Sequence, residues 1–273
     1  MAGKALNEGL TKEERRNLFG NADLNMLWMC PSDPRFPYWV HVPDSYYEEE
    51  DPHYSLMVII HGTGCAVENY LHCARQWADE HHVALLAPLF PSGAVVRDDF
   101  NAYKLLRSDG IQYDRILLAM IEDMTKRYDG IDAEKFFLFG HSGGGQFVNR
   151  FLFLHPQRLK ACMIGAPGRP TFLNFEEDFF WGVQNFREVF DKELDLEAVR
   201  EVPVLIAVGE LDDKFIGESP YGTNRVARMM SLQRNLLQNG VKTVQLVIIP
   251  GIEHADGDQE RIDAATAFFE GYL

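Results

Sequence analysis

Apolar and polar positions along this chain alternate between two patterns. Six apolar runs of four to eight residues have the length expected of strands buried on both faces; they are residues 56–60, 83–90, 136–139, 160–165, 202–208 and 244–249. Five further segments carry apolar residues at three- and four-residue spacing, which is typical of amphipathic helices; they are residues 69–81, 111–128, 146–154, 224–238 and 259–269. Parallel strands need a crossover to return to the same edge, so the alternation predicts a mostly parallel sheet covered by helices on both faces.

Two segments depart from this alternation. Residues 27–42 are interpreted as one or two antiparallel strands broken by prolines, which predicts a sheet edge and the least buried part of the fold. Residues 168–201 fit neither a strand nor one regular helix, and we interpret them as a short, aromatic-rich cap insertion. A single domain over residues 1–273 is expected, because a chain of this length can bury one substantial core.

Composition narrows the classes of function and of partner. The chain has 41 acidic and 26 basic residues and a formal net charge of -15, which repels nucleic-acid phosphates and anionic membrane surfaces. No segment approaches the roughly 20 apolar residues of a membrane span, and the start of the chain lacks the apolar core of a signal peptide. We therefore expect a cytoplasmic protein with a small-molecule substrate and neither nucleic acid nor membrane as partner. The sequence allows a homodimer but does not require one.

The most informative segment is a predicted strand that runs through a G-x-S-x-G motif into a predicted helix. The motif consists of Gly140, Ser142 and Gly144. A serine between strand and helix occupies a strained turn, and glycine at both flanking positions lets the backbone close while the hydroxyl projects outward. A glycine-rich turn with an incidental serine is the alternative. The strand-to-helix context favours Ser142 as a nucleophile.

A serine hydroxyl is a weak nucleophile at neutral pH, so it needs a neighbouring base and a third group that orients this base. Asp212 and Asp213 follow the predicted strand 202–208, and His254 follows the predicted strand 244–249. Loops after parallel strands meet at one edge of a sheet, which predicts a carboxylate and an imidazole beside Ser142. Alternatively, the aspartate only caps the next segment and the histidine is an ordinary loop residue.

The chain order serine, aspartate, histidine and the segments GELD, PGIEH and HGTG resemble the α/β-hydrolase superfamily, in particular its esterase and dienelactone-hydrolase-like branches. The resemblance covers nearly the whole chain. It implies an α/β fold, the α/β-hydrolase fold, with a mostly parallel central sheet of about eight strands flanked by helices on both faces. It also favours Asp212 over Asp213 as the acidic member of the triad, with Asp213 and Glu210 as fallbacks.

Acyl transfer by a serine places negative charge on the former carbonyl oxygen, so two backbone N–H groups must already point at that oxygen. Gly143, which follows the nucleophile, is predicted to supply one of them. The other is predicted to come from the H-G-x-G segment, where small residues let the main chain approach a substrate. Thr63 is the first choice and Gly64 the second. A plain tight turn is the alternative for this segment.

The insertion 168–201 is the first candidate for a substrate-binding wall. It contains seven aromatic residues, which are Phe172, Phe175, Phe179, Phe180, Trp181, Phe186 and Phe190. By analogy with the family, such residues lie over the nucleophile, which predicts Phe180 and Trp181 as substrate-binding and a hydrophobic or aromatic acyl or alcohol group. Gly64 and His141 are predicted to line the same pocket, although His141 also fits a scaffold role. The aromatic residues alternatively only pack the insertion onto the body.

A second candidate wall is formed by residues 91–109. Its arginines, Arg97 and Arg107, could meet a substrate carboxylate. Exposed, solubilising positions are the favoured interpretation for both.

Together these residues predict a serine hydrolase that cleaves a carboxylic ester or similar acyl bond through an acyl-enzyme on Ser142. C–C bond hydrolases, lactonases and acyltransferases use the same triad, and the sequence does not separate ester from amide bonds, so these remain alternatives. A non-catalytic ligand-binding protein is disfavoured because all three triad residues are present. No H-E-x-x-H or similar cluster indicates a metal, and the predicted chemistry requires no cofactor.

Overall fold

The structure is a computed structural model that describes residues 26–273 together with Thr11, Glu13, Glu14 and Asn17. Most of the leading segment, on which the expectation of no signal peptide is based, lies outside the described residues. None of the helices in the described part is long and apolar enough to cross a membrane.

A twisted sheet of eight strands forms the centre of the fold. Strands within the described residues are β1 (Met26–Met29), β2 (Pro37–His41), β3 (Tyr54–Ile60), β4 (Val83–Pro88), β5 (Arg107–Ser108), β6 (Ile111–Gln112), β7 (Ile131–His141), β8 (Leu159–Gly165), β9 (Val204–Gly209) and β10 (Val244–Ile249). The sheet order is β1-β2-β4-β3-β7-β8-β9-β10, and β5 pairs with β6 in a separate ribbon. Only the pairs β1–β2 and β2–β4 of the large sheet are antiparallel. The predicted α/β-hydrolase fold is confirmed.

Helices cover both faces of this sheet. In the described residues they are α1 (Val67–Glu80), α2 (Tyr113–Arg127), α3 (Gly143–Leu154), α4 (Phe186–Phe190), α5 (Leu196–Glu201), α6 (Arg225–Gln238) and α7 (Asp258–Phe269). Successive side chains of β7 point to opposite faces, as strand geometry requires. Phe136 and Leu138 join the apolar core beneath α2, α3 and α6, whereas Phe137 and Phe139 join the core beneath α1 and α7.

Two predicted boundaries near the G-x-S-x-G motif differ from the structure. Strand β7 begins at Ile131 instead of residue 136, because residues 131–135 alternate between buried and exposed positions and begin the pairing with β3. Helix α3 begins at Gly143 instead of residue 146. Glycine is a weak helix former, so the three glycines at its start conceal the helix in the sequence.

The prediction that residues 27–42 are the least buried part is wrong for β2. Tyr38 and Val40 of β2 are buried, since β4 pairs with one side of this strand and β1 covers the other. Only β1, with alternating partly buried and exposed residues, lies at the edge of the sheet.

A buried histidine, His61, directly follows β3. Its Nδ1 donates to the carbonyl oxygen of Gly62 at 2.6 Å, and its Nε2 accepts a hydrogen bond from the backbone N–H of Phe90 at 3.0 Å. A second proton would remove the acceptor for Phe90. Burial lowers the pKa of His61 to about 4. The neutral ring therefore fixes the loop after β3 against the end of β4.

We expect the stability of the protein to fall as the pH is lowered from about 6.5 towards about 4. In this range the unfolded state binds a proton at His61 that the folded state excludes, and above the unfolded pKa the contribution is constant. The loss from His61 reaches about 3 kcal/mol at the low end. Burial also lowers the pKa of His41, His141 and His155, which steepens the same dependence. Urea denaturation at several pH values measures it.

His61→Gln should make the pH dependence of the unfolding free energy shallower, whatever its effect at neutral pH. The control is His53→Gln, because the His53 side chain is 81% exposed. This control should keep the wild-type dependence. An equally steep dependence in His61→Gln would contradict the neutral, buried state of the ring.

Candidate active site

The loops after β7, β9 and β10 meet at one edge of the sheet. Ser142 directly follows β7, Asp212 lies three residues beyond the end of β9, and His254 lies five residues beyond the end of β10. These strands run parallel, with β8 between β7 and β9, so their carboxyl ends share an edge. Residues more than 100 positions apart in the chain, as between Ser142 and His254, therefore become neighbours.

The three side chains form a hydrogen-bonded row. Ser142 Oγ lies 2.9 Å from His254 Nε2, and His254 Nδ1 lies 2.6 Å from Asp212 Oδ2. An ionised carboxylate only accepts hydrogen bonds, so we assign the proton to Nδ1, which leaves Nε2 to accept from the serine hydroxyl. Asp213 is exposed, and Glu210 binds the backbone of the loop after β10. The structure thus brings Asp212, and not these two fallbacks, to His254.

The backbone at Ser142 is strained, with φ 56° and ψ -111°. A Cβ atom at Gly140 would lie 2.5 Å from the carbonyl carbon of Gly144, and one at Gly144 would lie 2.2 Å from the carbonyl oxygen of Ile60. Both flanking positions of the G-x-S-x-G motif therefore require glycine. The close approach holds the turn between β7 and α3 in the form that presents the hydroxyl.

Buried polar side chains fix the other two members of the row. The carbonyl oxygen of His254 accepts hydrogen bonds from His141 Nε2 and from Arg261 Nη2, each at 3.0 Å. Burial, and next the charge of Arg261, lower the pKa of His141 well below its usual range, so the ring is a neutral donor. Asp212 Oδ1 accepts from Arg225 Nη1 at 3.1 Å. These hydrogen bonds thus fix the backbone of His254 and the carboxylate of Asp212.

The loop after β3 lies against the start of α3. A Cβ atom placed on Gly143 would be 3.1 Å from the backbone nitrogen of Thr63. The first N–H groups of a helix have no partner within the helix, so Gly143 presents a donor next to that of Thr63. A Cβ on Gly64 would meet nothing within 4 Å. Of the two predicted choices, Thr63 is the one whose backbone nitrogen lies beside the Cβ position of Gly143.

A cleft of about 500 Å³ opens beside Ser142. Its apolar lining is limited to Phe100, Leu105, Phe180 and Ile216. Five basic side chains line the remainder, and they are Lys104, Arg150, Arg169, Arg225 and Arg228. Among the described residues that form its walls, none is acidic. The cleft is therefore cationic in a protein whose net charge is -15.

Of the four residues predicted to bind substrate, only Phe180 lines this cleft. The Trp181 ring packs instead against the guanidinium of Arg228, 5.3 Å from its centre. His141 is buried against His254, with 4.8 Å between the ring centres, and Gly64 is exposed on the loop after β3. The structure therefore places Gly64, His141 and Trp181 outside the lining of the cleft.

Some aromatic residues of the insertion 168–201 only pack it onto the body. Phe172, Phe186 and Phe190 are buried in the core, and Phe175 is half exposed. Both interpretations of this aromatic set thus apply to different members. The cleft has both apolar and basic lining residues, so the expected hydrophobic or aromatic substrate group stays a prediction.

The segment 91–109 does contribute a wall, although through a residue that sequence reasoning missed. Lys104 lines the cleft, whereas Arg97 is exposed as predicted. Arg107 is not exposed, because it donates to the carbonyl of Phe190 and lies 3.9 Å from the buried Asp114. Arg150 was missed as well. Helical spacing was one available signal, because Arg150 lies four residues after Gln146 on α3 and both residues line the cleft.

No group of three or more His, Cys, Asp and Glu side chains in the part of the chain that the structure describes is placed to hold a metal ion.

Comparison with known proteins places this geometry in a family. The sequence pattern of the prolyl oligopeptidase family matches residues 113–273, more than half of the chain, and the match includes Ser142, Asp212 and His254. No curated protein matches the sequence.

Among solved structures, the chain is similar to the poly(3-hydroxybutyrate) depolymerase LpqC from Bordetella parapertussis, with a TM-score of 0.73, 22% identity, and coverage of 97% of this chain and 96% of that one. It is also similar to poly(aspartic acid) hydrolase-1 from Sphingomonas sp. KT-1, with a TM-score of 0.70, 20% identity, and coverage of 89% of this chain and 97% of that one. A third similar structure is an S-formylglutathione hydrolase from Agrobacterium tumefaciens, with a TM-score of 0.57, 16% identity, and coverage of 87% of this chain and 88% of that one. At these identities the likeness shows the shared fold.

Through its family match and its fold, the chain belongs to the prolyl oligopeptidase family of the α/β-hydrolase superfamily and is a serine hydrolase.

Proposed function

We propose that the protein hydrolyses a carboxylic ester, or a similar acyl bond, through an acyl-enzyme on Ser142. The supporting observation is the hydrogen-bonded row of Asp212, His254 and Ser142, with contacts of 2.6 and 2.9 Å. This row ends at the cationic cleft, which Ser142 itself lines. A hydroxyl becomes an effective nucleophile when an adjacent base accepts its proton during the attack.

In the proposed reaction, Ser142 Oγ attacks the acyl carbon while His254 Nε2 accepts the hydroxyl proton. Asp212 accepts the Nδ1–H hydrogen bond and stabilises the imidazolium. The imidazolium then donates its proton to the leaving alcohol as the acyl C–O bond breaks. Water, deprotonated by His254, attacks the acyl-enzyme and releases the carboxylic acid and the free serine.

The proposed oxyanion hole consists of the backbone N–H groups of Gly143 and Thr63. Their proximity supports this role, since the Cβ position of Gly143 is 3.1 Å from the nitrogen of Thr63. Backbone donors that already point at the developing charge need no reorganisation during the reaction. One such donor typically contributes about 2.7 to 4 kcal/mol of transition-state stabilisation.

We also propose that residues 168–201 act as a small cap over the cleft. Gly168, Arg169 and Phe180 line the cleft from this segment. The buried Phe186 and Phe190 attach the segment to the body.

Ser142→Ala and Asp212→Asn should each lower kcat for p-nitrophenyl acetate by about 10⁴-fold or more, because one removes the nucleophile and the other the correct tautomer of His254. Asp213→Asn is the matched control, since this neighbouring carboxylate is exposed. It should change kcat by less than about threefold. Circular dichroism checks that all variants fold.

Labelling with an organophosphonate separates this proposal from a ligand-binding protein without activity. Wild type should be labelled at Ser142 and Ser142→Ala should not. Absence of both labelling and ester turnover in the wild type would support the binding protein. A dead Asp213→Asn beside an active Asp212→Asn would overturn the assignment of the carboxylate.

Membership of the prolyl oligopeptidase family favours a second candidate, hydrolysis of a peptide or other amide bond. The same row can perform it, with His254 protonating a leaving amine instead of an alcohol. We expect ester hydrolysis to dominate when p-nitrophenyl butyrate is compared with butyryl p-nitroanilide, which has the same acyl group. Ser142-dependent kcat/KM for the anilide at or above that for the ester would favour the peptidase.

A further inference from the structure

Most cations of the cleft have no counter-charge in contact. Arg225 pairs with Asp212 at 3.1 Å. The other four basic side chains make no ion pair within 4 Å among the described residues, and they are Lys104, Arg150, Arg169 and Arg228. Buried charges are normally paired because desolvation of an isolated ion is costly. The cleft therefore holds positive charge that the chain does not neutralise.

Arg150 shows how this charge is retained. It is almost fully buried in the wall of the cleft. Its guanidinium donates to Thr171 Oγ1 at 3.1 Å, to the carbonyl of Arg169 at 2.9 Å and to the carbonyl of Lys104. All these acceptors are neutral. Burial, and then the charge of Arg169, lower the pKa of Arg150 to about 9, so it stays protonated at neutral pH.

Arg228, which also lines the cleft, repeats this arrangement. It is buried, and it donates to the carbonyl oxygens of Gly168, Gly217 and Gly222. Burial, followed by Arg225 and Arg169, lowers its pKa. Neutral carbonyls thus satisfy the hydrogen bonds of both arginines and leave their charges uncompensated.

Lys104 places a cation next to the turn between β7 and α3. Its Cε lies 2.9 Å from the Cβ position of Gly143, so its ammonium group is close to the proposed oxyanion hole. Nζ donates to Asn101 Oδ1 at 2.8 Å, and an ammonium has two further donors. Burial lowers the pKa of Lys104 to about 8, with Arg150 and Arg169 adding to the effect against the opposing Asp99.

Arg169 is the accessible member of the cluster. Its guanidinium stands 5.6 Å from the centre of the Phe180 ring, and its residue is exposed. The charge of Arg169 contributes to the lowered pKa values of Lys104, Arg150 and Arg228, which line the same cleft. A guanidinium presents paired donors that match a carboxylate.

We propose that this cleft binds the carboxylate of an anionic substrate, which Lys104 and Arg169 contact directly while Arg150 and Arg228 supply surrounding positive charge. This assignment of substrate class depends on the proposed function of Ser142. The net charge of -15 does not oppose it. Exposed charges are largely screened beyond about 10 Å in ordinary salt, whereas the cluster acts at contact distance.

Two matched ester pairs test the proposal. On the acyl side, p-nitrophenyl hydrogen adipate is compared with p-nitrophenyl methyl adipate, and on the alcohol side 4-acetoxybenzoate is compared with its methyl ester. We expect kcat/KM for the anionic member to exceed that for the neutral one by about tenfold or more in at least one pair. A ratio near one in both pairs would overturn the proposal.

Arg169→Gln and Lys104→Gln should each lower the anionic-to-neutral ratio about tenfold. Arg187→Gln is the matched control, because Arg187 is 77% exposed and lies outside the cleft. It should keep the wild-type ratio. Unchanged ratios in both cleft variants would contradict direct contact.

Binding of free adipate to Ser142→Ala, measured by calorimetry with neutral adipamide as control, tests the subsite without catalysis. Adipate binding that Arg169→Gln weakens and Arg187→Gln preserves supports the subsite even if no ester is turned over, an outcome that would reject only the proposed function. Ser142-dependent turnover of neutral esters without anion preference or adipate binding rejects only the subsite.

Discussion

Helix α3 begins so close to the ends of β3 and β8 that Gly144 and Gly145 have no space for side chains. A Cβ atom at Gly144 would lie 2.2 Å from the carbonyl oxygen of Ile60, and one at Gly145 would lie 2.3 Å from that of Gly165. This contact between backbones fixes the strained turn at Ser142. It also sets the start of α3 beside the loop that carries Thr63. The position of the hydroxyl and the proximity of Gly143 to the backbone of Thr63 thus follow from one steric constraint.

Around this rigid turn, buried polar groups hold the histidine and the carboxylate in register. The backbone of His254 is held by His141 and Arg261, and the carboxylate of Asp212 by Arg225. These partners belong to different elements, so the row depends on the packing of the whole sheet edge. Neutral His141 suits this role, because a protonated ring at this depth would face Arg261 across low-dielectric surroundings.

The cleft is cationic, although the protein carries a net charge of -15. Arg150 and Arg228 are buried and donate only to neutral acceptors. Desolvation of such unpaired charges costs free energy, which a bound anion would offset. Arg225 differs, because its bond to Asp212 ties the cationic wall directly to the hydrogen-bonded row. The environment that would receive a substrate is thus electrostatically connected to the groups that would react with it.

The periodicity of apolar residues was enough to predict the fold class, because a strand buried on both faces and an amphipathic helix leave different patterns in a chain. It failed where packing overrides local signals. The glycines of α3 are weak helix formers that close packing requires, and the prolines near β2 indicate an edge that β1 in fact occupies.

By itself, the sequence determined the fold class and placed Ser142, His254 and a carboxylate of the loop after β9 at one sheet edge, because a motif and the loops after parallel strands fix these positions. The tertiary structure selected Asp212, whose Oδ2 lies 2.6 Å from His254 Nδ1. Only the tertiary structure decided the character of the cleft. Arg225 and Arg228 lie on α6 and Arg150 on α3, whereas Lys104 precedes β5 and Arg169 belongs to the insertion 168–201. Distances between such elements depend on how helices and loops pack over the sheet, and no local spacing in the chain encodes them.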